Sequence, residues 1–566
     1  MIETKIQAPK SVGDIIPVEK VYGTPDAFAG TPMSNLLTRV QGPIGKQDVQ
    51  HNDASGKGMW LTEGEDEVFV TFEFGGSYPI GEMWVWNYNQ QSTTYPGLFY
   101  RGLKEVKLEH SLNGEDWTEL KGQGYPFKLA PATGSNQQKA TNLDDGNNSP
   151  VDFGGVLARY VRLSARANPD IGNWGGYEEN EKLFGLSQVN FYAGKGFAVE
   201  AAEEWTNLFH RKQGWSGSDG IYAIPFNGCD RQGTADQTKT IFMFGDTFIG
   251  SVDEATDYRI STKMINNTLG ILTGAEPNED ALEFRWKQDE NNEPASNIVP
   301  NTEKTRSVEG AYYWLQDGAS INGTFYCFPM IVGPNPDGPE GFAFSIHGIT
   351  RVSAPIGEDG PNLDLQDQID TSLYFTAANG KTTYFGAAIM ANTEESGNPN
   401  PDGYVYIYGL QNWEKVKLVA ARVREEDFND LDKWHFWNGA EWAAEKEQVV
   451  PIAEEISCEL SVSPMVGGSL DGKYIAVFQE SSTGNWISIY AGDTPVGPFK
   501  DPVRLHYCQE PKGGEGIYSY NAKGHPHLSK PGEMLFSYNV NTTSWAMHEK
   551  HASIYRPRFM NVREIS

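Results

Sequence analysis

The chain has 566 residues, too many for one ordinary hydrophobic core, so two domains of unequal size are expected. Its 45 basic and 75 acidic residues leave a formal charge of −30, a surface that repels phosphate backbones and argues against nucleic acid as a partner. Mean hydropathy is −0.50, and no apolar run approaches the roughly 18 residues of a membrane-spanning helix, so no membrane partner is expected. With 61 glycines, 32 prolines and 12% aromatic residues, many short strands joined by turns are predicted rather than helix bundles. The four cysteines, Cys229, Cys327, Cys458 and Cys508, are far apart and form no C-x-x-C pair, so no metal site or dense disulfide framework is expected. The first residues, MIETKIQAPKSVGD, contain no apolar signal core. The expected location is cytoplasmic, or secreted if a leader precedes this sequence.

Residues 17–193 form one compositional unit. VFVTFEF (68–74) and MWVWNYN (83–89) alternate as half-buried strands do, and VKLEHSLNGEDWTEL (106–120) reads as a strand, an Asn-Gly turn and a second strand. ARYVRLSA (158–165) and GLSQVNFYA (185–193) complete the set, while 131–150 is a polar loop. The residues Gly58-Met59-Trp60-Leu61, Ile80-Gly81-Glu82-Met83-Trp84, Trp86-Asn87-Tyr88-Asn89, Glu109-His110-Ser111 with Trp117, Ala158-Arg159-Tyr160-Val161-Arg162 and Gly185-Leu186-Ser187 occur in the order of the discoidin, or coagulation-factor type C, family, which this unit resembles. The resemblance implies a jelly-roll β-sandwich, a carbohydrate-binding role and, in some members, a structural calcium ion. Tyr95, Tyr100, Trp174 and Tyr177 lie in predicted loops, where they either stack on sugar or pack the loops themselves. Residues 194–213 contain the best helix pattern in the chain and are expected to link the domains as a helix.

From 214 to 566 short strands recur, among them IYAIPF (221–226), KTIFMFGDTFIG (239–250), NNTLGIL (266–272), AYYWLQDGASINGTFYCFPMI (311–331), TTYFGAAIM (382–390), GYVYIYGL (403–410), VKLVAARV (416–423), KYIAVFQE (473–480), NWISIYAG (485–492) and MLFSYNV (534–540). So long an all-β stretch suits a β-propeller, and grouping its strands gives roughly five blades. The expected fold is therefore all-β, a jelly-roll sandwich followed by a five-bladed propeller.

The chemistry is expected at Asp219, in Trp215-Ser216-Gly217-Ser218-Asp219-Gly220, and at Asp246, in Phe244-Gly245-Asp246-Thr247-Phe248. Each is a carboxylate beside Gly at a strand end, where a tight turn can aim it into a channel. Paired carboxylates are the equipment of glycosidic cleavage, one giving a proton and the other attacking carbon or activating water. Two such aspartates also serve as turn caps, and their spacing leaves both readings open. SGSDG and FGDTFIG, followed in order by Asn266-Asn267-Thr268, Tyr384-Phe385-Gly386-Ala387-Ala388, Tyr404-Val405-Tyr406, Trp434 with Trp437-Asn438-Gly439, Tyr520-Asn521-Ala522-Lys523, His525-Pro526 and Arg556-Pro557-Arg558-Phe559, resemble a bacterial propeller family known as a domain of unknown function. Its characterised relatives include endo-D-arabinanases. The resemblance implies a glycoside hydrolase in which Asp219 and Asp246 are the catalytic acids. The insert 227–237 and the segments 273–305 and 355–372 are particular to this chain, which leaves its sugar to be set by loops.

Further substrate-binding candidates are Trp215 as a stacking platform, Asn267, Glu309, Asp317, Tyr384, Glu459, Asn521 and His525. Asp317 also suits a hairpin turn. His525 and His527 make a His-x-His spacing, but no carboxylate or cysteine cluster accompanies it, and no metal or other cofactor is required. The expected substrate is an arabinan-like or fructan-like oligo- or polysaccharide containing furanosides. A non-catalytic glycan binder is one alternative; a lyase or esterase using His525 and Arg306 is another.

Overall fold

The computed structural model describes residues 7–26, 30–37, 58–135, 139–338, 343–412, 415–514 and 516–566. The chain divides into two compact units, one of Met1–Glu200 with Arg563–Ser566 and one of Ala201–Val562. The architecture is a jelly-roll sandwich followed by a five-bladed propeller.

The first unit is organised on one 21-residue strand, Glu67–Asn87. The two alternating segments expected as separate strands are its two ends. It pairs with Val18–Gly23, Val151–Arg166 and Leu183–Ala193, and its register shifts between Glu73 and Tyr78. Gly75 and Gly76 occupy this bend because a side chain would not fit: a Cβ on Gly76 would meet the Val199 carbonyl oxygen at 2.7 Å. The inward side chains, Trp60, Val70, Phe72, Phe74, Met83, Val85, Val161, Leu163, Val189 and Phe191, form the core. The Asn-Gly hairpin forms as expected between Glu105–Ser111 and Thr118–Glu119, with Gly114 at φ 77°. The polar segment 131–150 forms a loop with no strand among its described residues, and its residues 136–138 lie outside the described ones.

The segment 194–213 holds less helix than its pattern predicts. Gly196–Ala201 is a strand and only Glu203–Leu208 is helical. Pairing of Val199 with Ser77 wins at the start, and the strand Gln213–Ser218 follows, with Gly214 at φ 72°. The C-terminal Arg563–Ser566, expected with the propeller, belongs to the first unit.

In the second unit, blade one contains Tyr222–Pro225, Lys239–Phe244, Thr268–Thr273 and Leu282–Arg285, all antiparallel. Blade two runs Gly318–Ile321, Thr324–Cys327, Phe344–Gly357 and Asp367–Asp370. Blade three contains Thr382–Asn392, Tyr404–Gln411, Lys417–Arg424 and His435–Trp437. Blade four contains Leu460–Pro464, Tyr474–Gln479, Trp486–Gly492 and Val503–Tyr507. Blade five pairs Ile517–Gly524 with Glu533–Thr542, which neighbours Pro557–Ile565. The first long strand of each blade faces the axis, where Tyr222, Ile224, Gly318, Ser320, Ile389, Ala391, Leu460, Val462, Lys523 and Gly524 line a narrow channel.

Candidate active site

Asp219, Asp317 and Glu459 stand immediately ahead of the inner strands of blades one, two and four, so propeller geometry brings them to one end of the channel. Blade five contributes Asn521 and Lys523 from within its inner strand.

The two aspartate turns are interlocked. Gly245 N–H donates to the Asp219 carbonyl at 2.9 Å, and Asp219 N–H approaches the Asp246 carbonyl at 3.4 Å. Gly220 has φ 84°, and a Cβ on it would meet the Gly245 nitrogen at 2.7 Å. A Cβ on Gly245 would meet Asp219 Oδ1 at 2.3 Å. Gly220 is thus required by its φ and by the Gly245 backbone, while Gly245 leaves room for the Asp219 carboxylate.

Asp219 Oδ2 accepts from the Tyr520 hydroxyl at 2.7 Å and the Tyr555 hydroxyl at 3.0 Å. Asp246 Oδ1 accepts from Asn266 Nδ2 at 3.2 Å, and the Trp314 indole also hydrogen-bonds this carboxylate. Burial lifts the Asp219 carboxyl above its ordinary range, opposed by both phenols and by the Lys523 ammonium. Burial, together with the charge of Asp219, pushes Asp246 to about 7, opposed by Asn266 and Trp314. Of this coupled pair Asp219 has the stronger stabilisers of its anion, so the proton rests on Asp246.

Burial likewise pushes Asp317 to about 7, although its carboxylate accepts from Gly318 N–H and Ile389 N–H, both at 2.8 Å. The second bond depends on a register shift in blade three between Phe385 and Ala388, with Gly386 at φ 113°. Glu459 is also raised to about 7 by burial, against the Lys523 ammonium 3.7 Å away. Strained backbone collects here: Ile221, Asn521 and Tyr555 have φ of 54°, 75° and 69°. A β-branched residue at positive φ is a rare outlier, and such strain concentrates at functional sites.

Several sequence candidates have other surroundings. Trp215 is buried and stacked on Phe284 at 4.6 Å, beside Phe209 and Phe244, so it is a core residue and not an exposed sugar platform. Trp314 is the tryptophan brought to the acids, with Tyr312 beside it. Asn267 is buried and clasps Ile298 through both its amide atoms, whereas its neighbour Asn266 reaches Asp246. Glu309 is exposed on a loop after the short helix Glu303–Arg306. Tyr384 is buried against Tyr374, with Cys458 and Glu459 near its hydroxyl. His525 is buried, bonded to Ser537 Oγ at 2.8 Å and packed on Phe559, away from the acids. His527 bridges Asp230 and Thr240, so the two histidines do not converge on a metal. Among the described residues no group of three or more His, Cys, Asp or Glu side chains is arranged to hold a metal ion. Arg259 donates to the Ser216, His548, Ala552 and Ile554 carbonyls. In the first unit Tyr95, Tyr100 and Tyr177 are exposed, with Tyr95 and Tyr177 edge to face at 5.5 Å.

Sequence reasoning missed Tyr520, Tyr555 and Lys523 as functional groups. Lys523 carried one signal, a lysine inside an otherwise neutral inner strand; Tyr555, 336 positions from Asp219, carried none.

The channel below the acids holds about 50 Å³ of free space, enough for a few waters at roughly 10–15 Å³ each and too small for a sugar ring. Any glycan must therefore lie across the mouth, where Asp219 and Asp246 are only partly buried. An ionised carboxylate beside a protonated one is an acid–base pair able to cleave an acetal.

A comparison with curated proteins finds no match. Among solved structures the chain is similar to a Bacteroides ovatus protein provisionally assigned as a hydrolase, with 19% identity, 65% of this chain and 90% of that one covered, and a TM-score of 0.50. It is also similar to an α-L-arabinofuranosidase of Podospora anserina solved with cellotriose, with 10% identity, coverages of 62% and 92%, and a TM-score of 0.31. A fucose-binding module of Streptococcus pneumoniae matches at 11% identity, with coverages of 32% and 99% and a TM-score of 0.20. A family model covers residues 202–565, most of the chain and nearly all of its second unit, and the protein belongs to that family, the domain of unknown function DUF5005.

Proposed function

We propose that this protein is a glycoside hydrolase acting on a furanoside-containing glycan, arabinan-like or fructan-like, at the mouth of the propeller channel. Asp246 is the general acid and Asp219 the base or nucleophile. The observation that carries this reading is the asymmetry of the pair. Asp219 receives two phenol hydroxyls, while burial and the charge of Asp219 hold the proton on Asp246. Resemblance to the endo-D-arabinanases supports the reaction class, and the exposed tyrosines of the first unit support a glycan-holding role there. The lyase reading has less support, because His525 is turned into its blade and Arg306 is exposed on a separate short helix.

The test is a digest of arabinan, arabinogalactan and fructan read by mass spectrometry, with the wild type beside Asp219→Asn and Asp246→Asn. Product release by the wild type, lost in both folded variants, is expected. Full activity in both variants overturns the assignment, and saturable glycan binding without any product supports a non-catalytic binder instead.

A further inference from the structure

Lys523 is a cation held inside the propeller, 2% exposed, and all three of its ammonium donors are occupied. They go to the Gly220 carbonyl, the Asn521 carbonyl at 3.1 Å and Asn521 Oδ1 at 2.9 Å. An ammonium has three protons, so none remains for an anionic ligand. Its charge acts on Glu459, Asp317 and Asp219, and the Tyr222 ring lies 4.3 Å from Nζ. His525, whose imidazole also feels this charge, is kept neutral by burial.

Two polar atoms anchored on this ammonium have no hydrogen-bond partner. Asn521 is 2% exposed, and its Nδ2, a donor, is unpaired. Glu459 Oε2, an acceptor, has only the ammonium at 3.7 Å. Leaving such atoms buried and unpaired is costly, and natural sites keep them where a ligand completes them. Asn521 also holds φ 75° at a register shift between Tyr520 and Lys523. A donor and an acceptor on two residues that share one ammonium match a hydroxyl group, which accepts and donates at once. A carboxylate cannot donate, and it would face Glu459, Asp317 and Asp219 with no free cation donor.

We propose that Asn521, Glu459 and Lys523 form a hydroxyl-reading subsite beside Asp219, which admits uncharged glycans and turns away uronate-bearing ones. Lys523 is the positioning residue, fixing the amide and the carboxylate and compensating the acids. This deepens the proposed hydrolase reading by naming the charge class of its substrate, and rests on that reading for the reaction.

Two measurements on the full chain test it. The first needs no substrate: melting temperatures of the wild type, Lys523→Met and Lys523→Met/Glu459→Gln from pH 5 to pH 8. Without the ammonium the buried carboxyls resist ionisation further, so the deficit of Lys523→Met should widen as pH rises and narrow again in the double variant. A deficit equal at every pH would mean packing alone and overturn the charge role. The second compares neutral arabino-oligosaccharides with homogalacturonan oligomers on the wild type and on Asn521→Gly, which removes the amide while tolerating the positive φ. A tenfold or greater loss of kcat/KM for the neutral substrate in Asn521→Gly, and no turnover of homogalacturonan, are expected. Homogalacturonan turned over as well as the neutral substrate, or an Asn521→Gly protein with unchanged kcat/KM, overturns the subsite while leaving the hydrolase reading intact. If no product forms, binding of the same oligosaccharides to Asp246→Asn with and without Asn521→Gly decides. A tenfold weakening then sustains the subsite though the hydrolase reading fails, and unchanged or absent binding overturns it.

Discussion

Replacing Gly245 by alanine perturbs the Asp219 carboxylate through a single methyl group. The added Cβ would stand 2.3 Å from Asp219 Oδ1 and 3.4 Å from its Cγ, and the remaining near atom is the Asp219 carbonyl carbon at 3.8 Å. Gly245 is not among the residues of positive φ, so alanine is tolerated by the backbone. The atom that must move is the end of a side chain, and restoring ordinary van der Waals separation requires a retreat of about 1 Å. That retreat breaks the geometry of the phenol bonds at 2.7 and 3.0 Å, which hold Asp219 ionised. A misplacement of about 1 Å costs on the order of 10²-fold in turnover, so kcat/KM of Gly245→Ala should fall by roughly that factor. Lost support for the anion also raises the Asp219 pKa, moving the acidic limb of kcat/KM to higher pH. The melting temperature should drop by less than about 5 °C, since no buried apolar contact is lost. Initial rates across pH with a parallel thermal melt check all three. A folded Gly245→Ala enzyme with wild-type turnover and an unmoved acidic limb would refute the placement of Asp219 as a reacting group.

Tyr520→Phe and Tyr555→Phe each remove one donor to Asp219; both should shift the acidic limb of kcat/KM upward, the double variant furthest, as a pH–rate series will read. Trp215→Ala should lower stability by about 3–5 kcal/mol in urea titration, because its ring is packed among Phe209, Phe244 and Phe284. The Asp317 pKa is raised from 3.8 to about 7 on folding, so the native state binds the extra proton between those values. This contribution to stability is full below about 4 and lost as pH rises toward 7, hence Asp317→Asn should gain on the wild type in melting temperature across that interval. A pH-independent difference would contradict the assigned burial.

The alternation of segments such as VFVTFEF and MWVWNYN made the strands legible, because a period of two is a local property. It could not say that these two segments are halves of one bent strand, since the bend is decided by what Gly75 and Gly76 must pass. The same locality misled at 194–213, where a short amphipathic run suggested a helix but pairing by Val199 captured its first part as strand. Trp215 stood next to an acid-bearing turn in sequence and was expected at the sugar, yet a register shift between Trp215 and Gly217 breaks the alternation of its strand, and its ring packs among aromatic rings.

The sequence by itself determined the all-β architecture, and it brought Asp219 and Asp246 forward as candidates by their flanking glycines together with the ordered family resemblance. Those glycines belong to two turns in contact, so their signature is written within a few residues of each acid. Only the tertiary structure decided which groups attend the acids. Tyr520 and Tyr555 reach Asp219 across 301 and 336 positions, and Lys523 reaches the Gly220 carbonyl across 303. The physical reason is the arrangement of the blades about one axis. Inner strands far apart in the chain start at a common mouth, and charge, proton affinity and recognition there are set by neighbours that no local pattern can name.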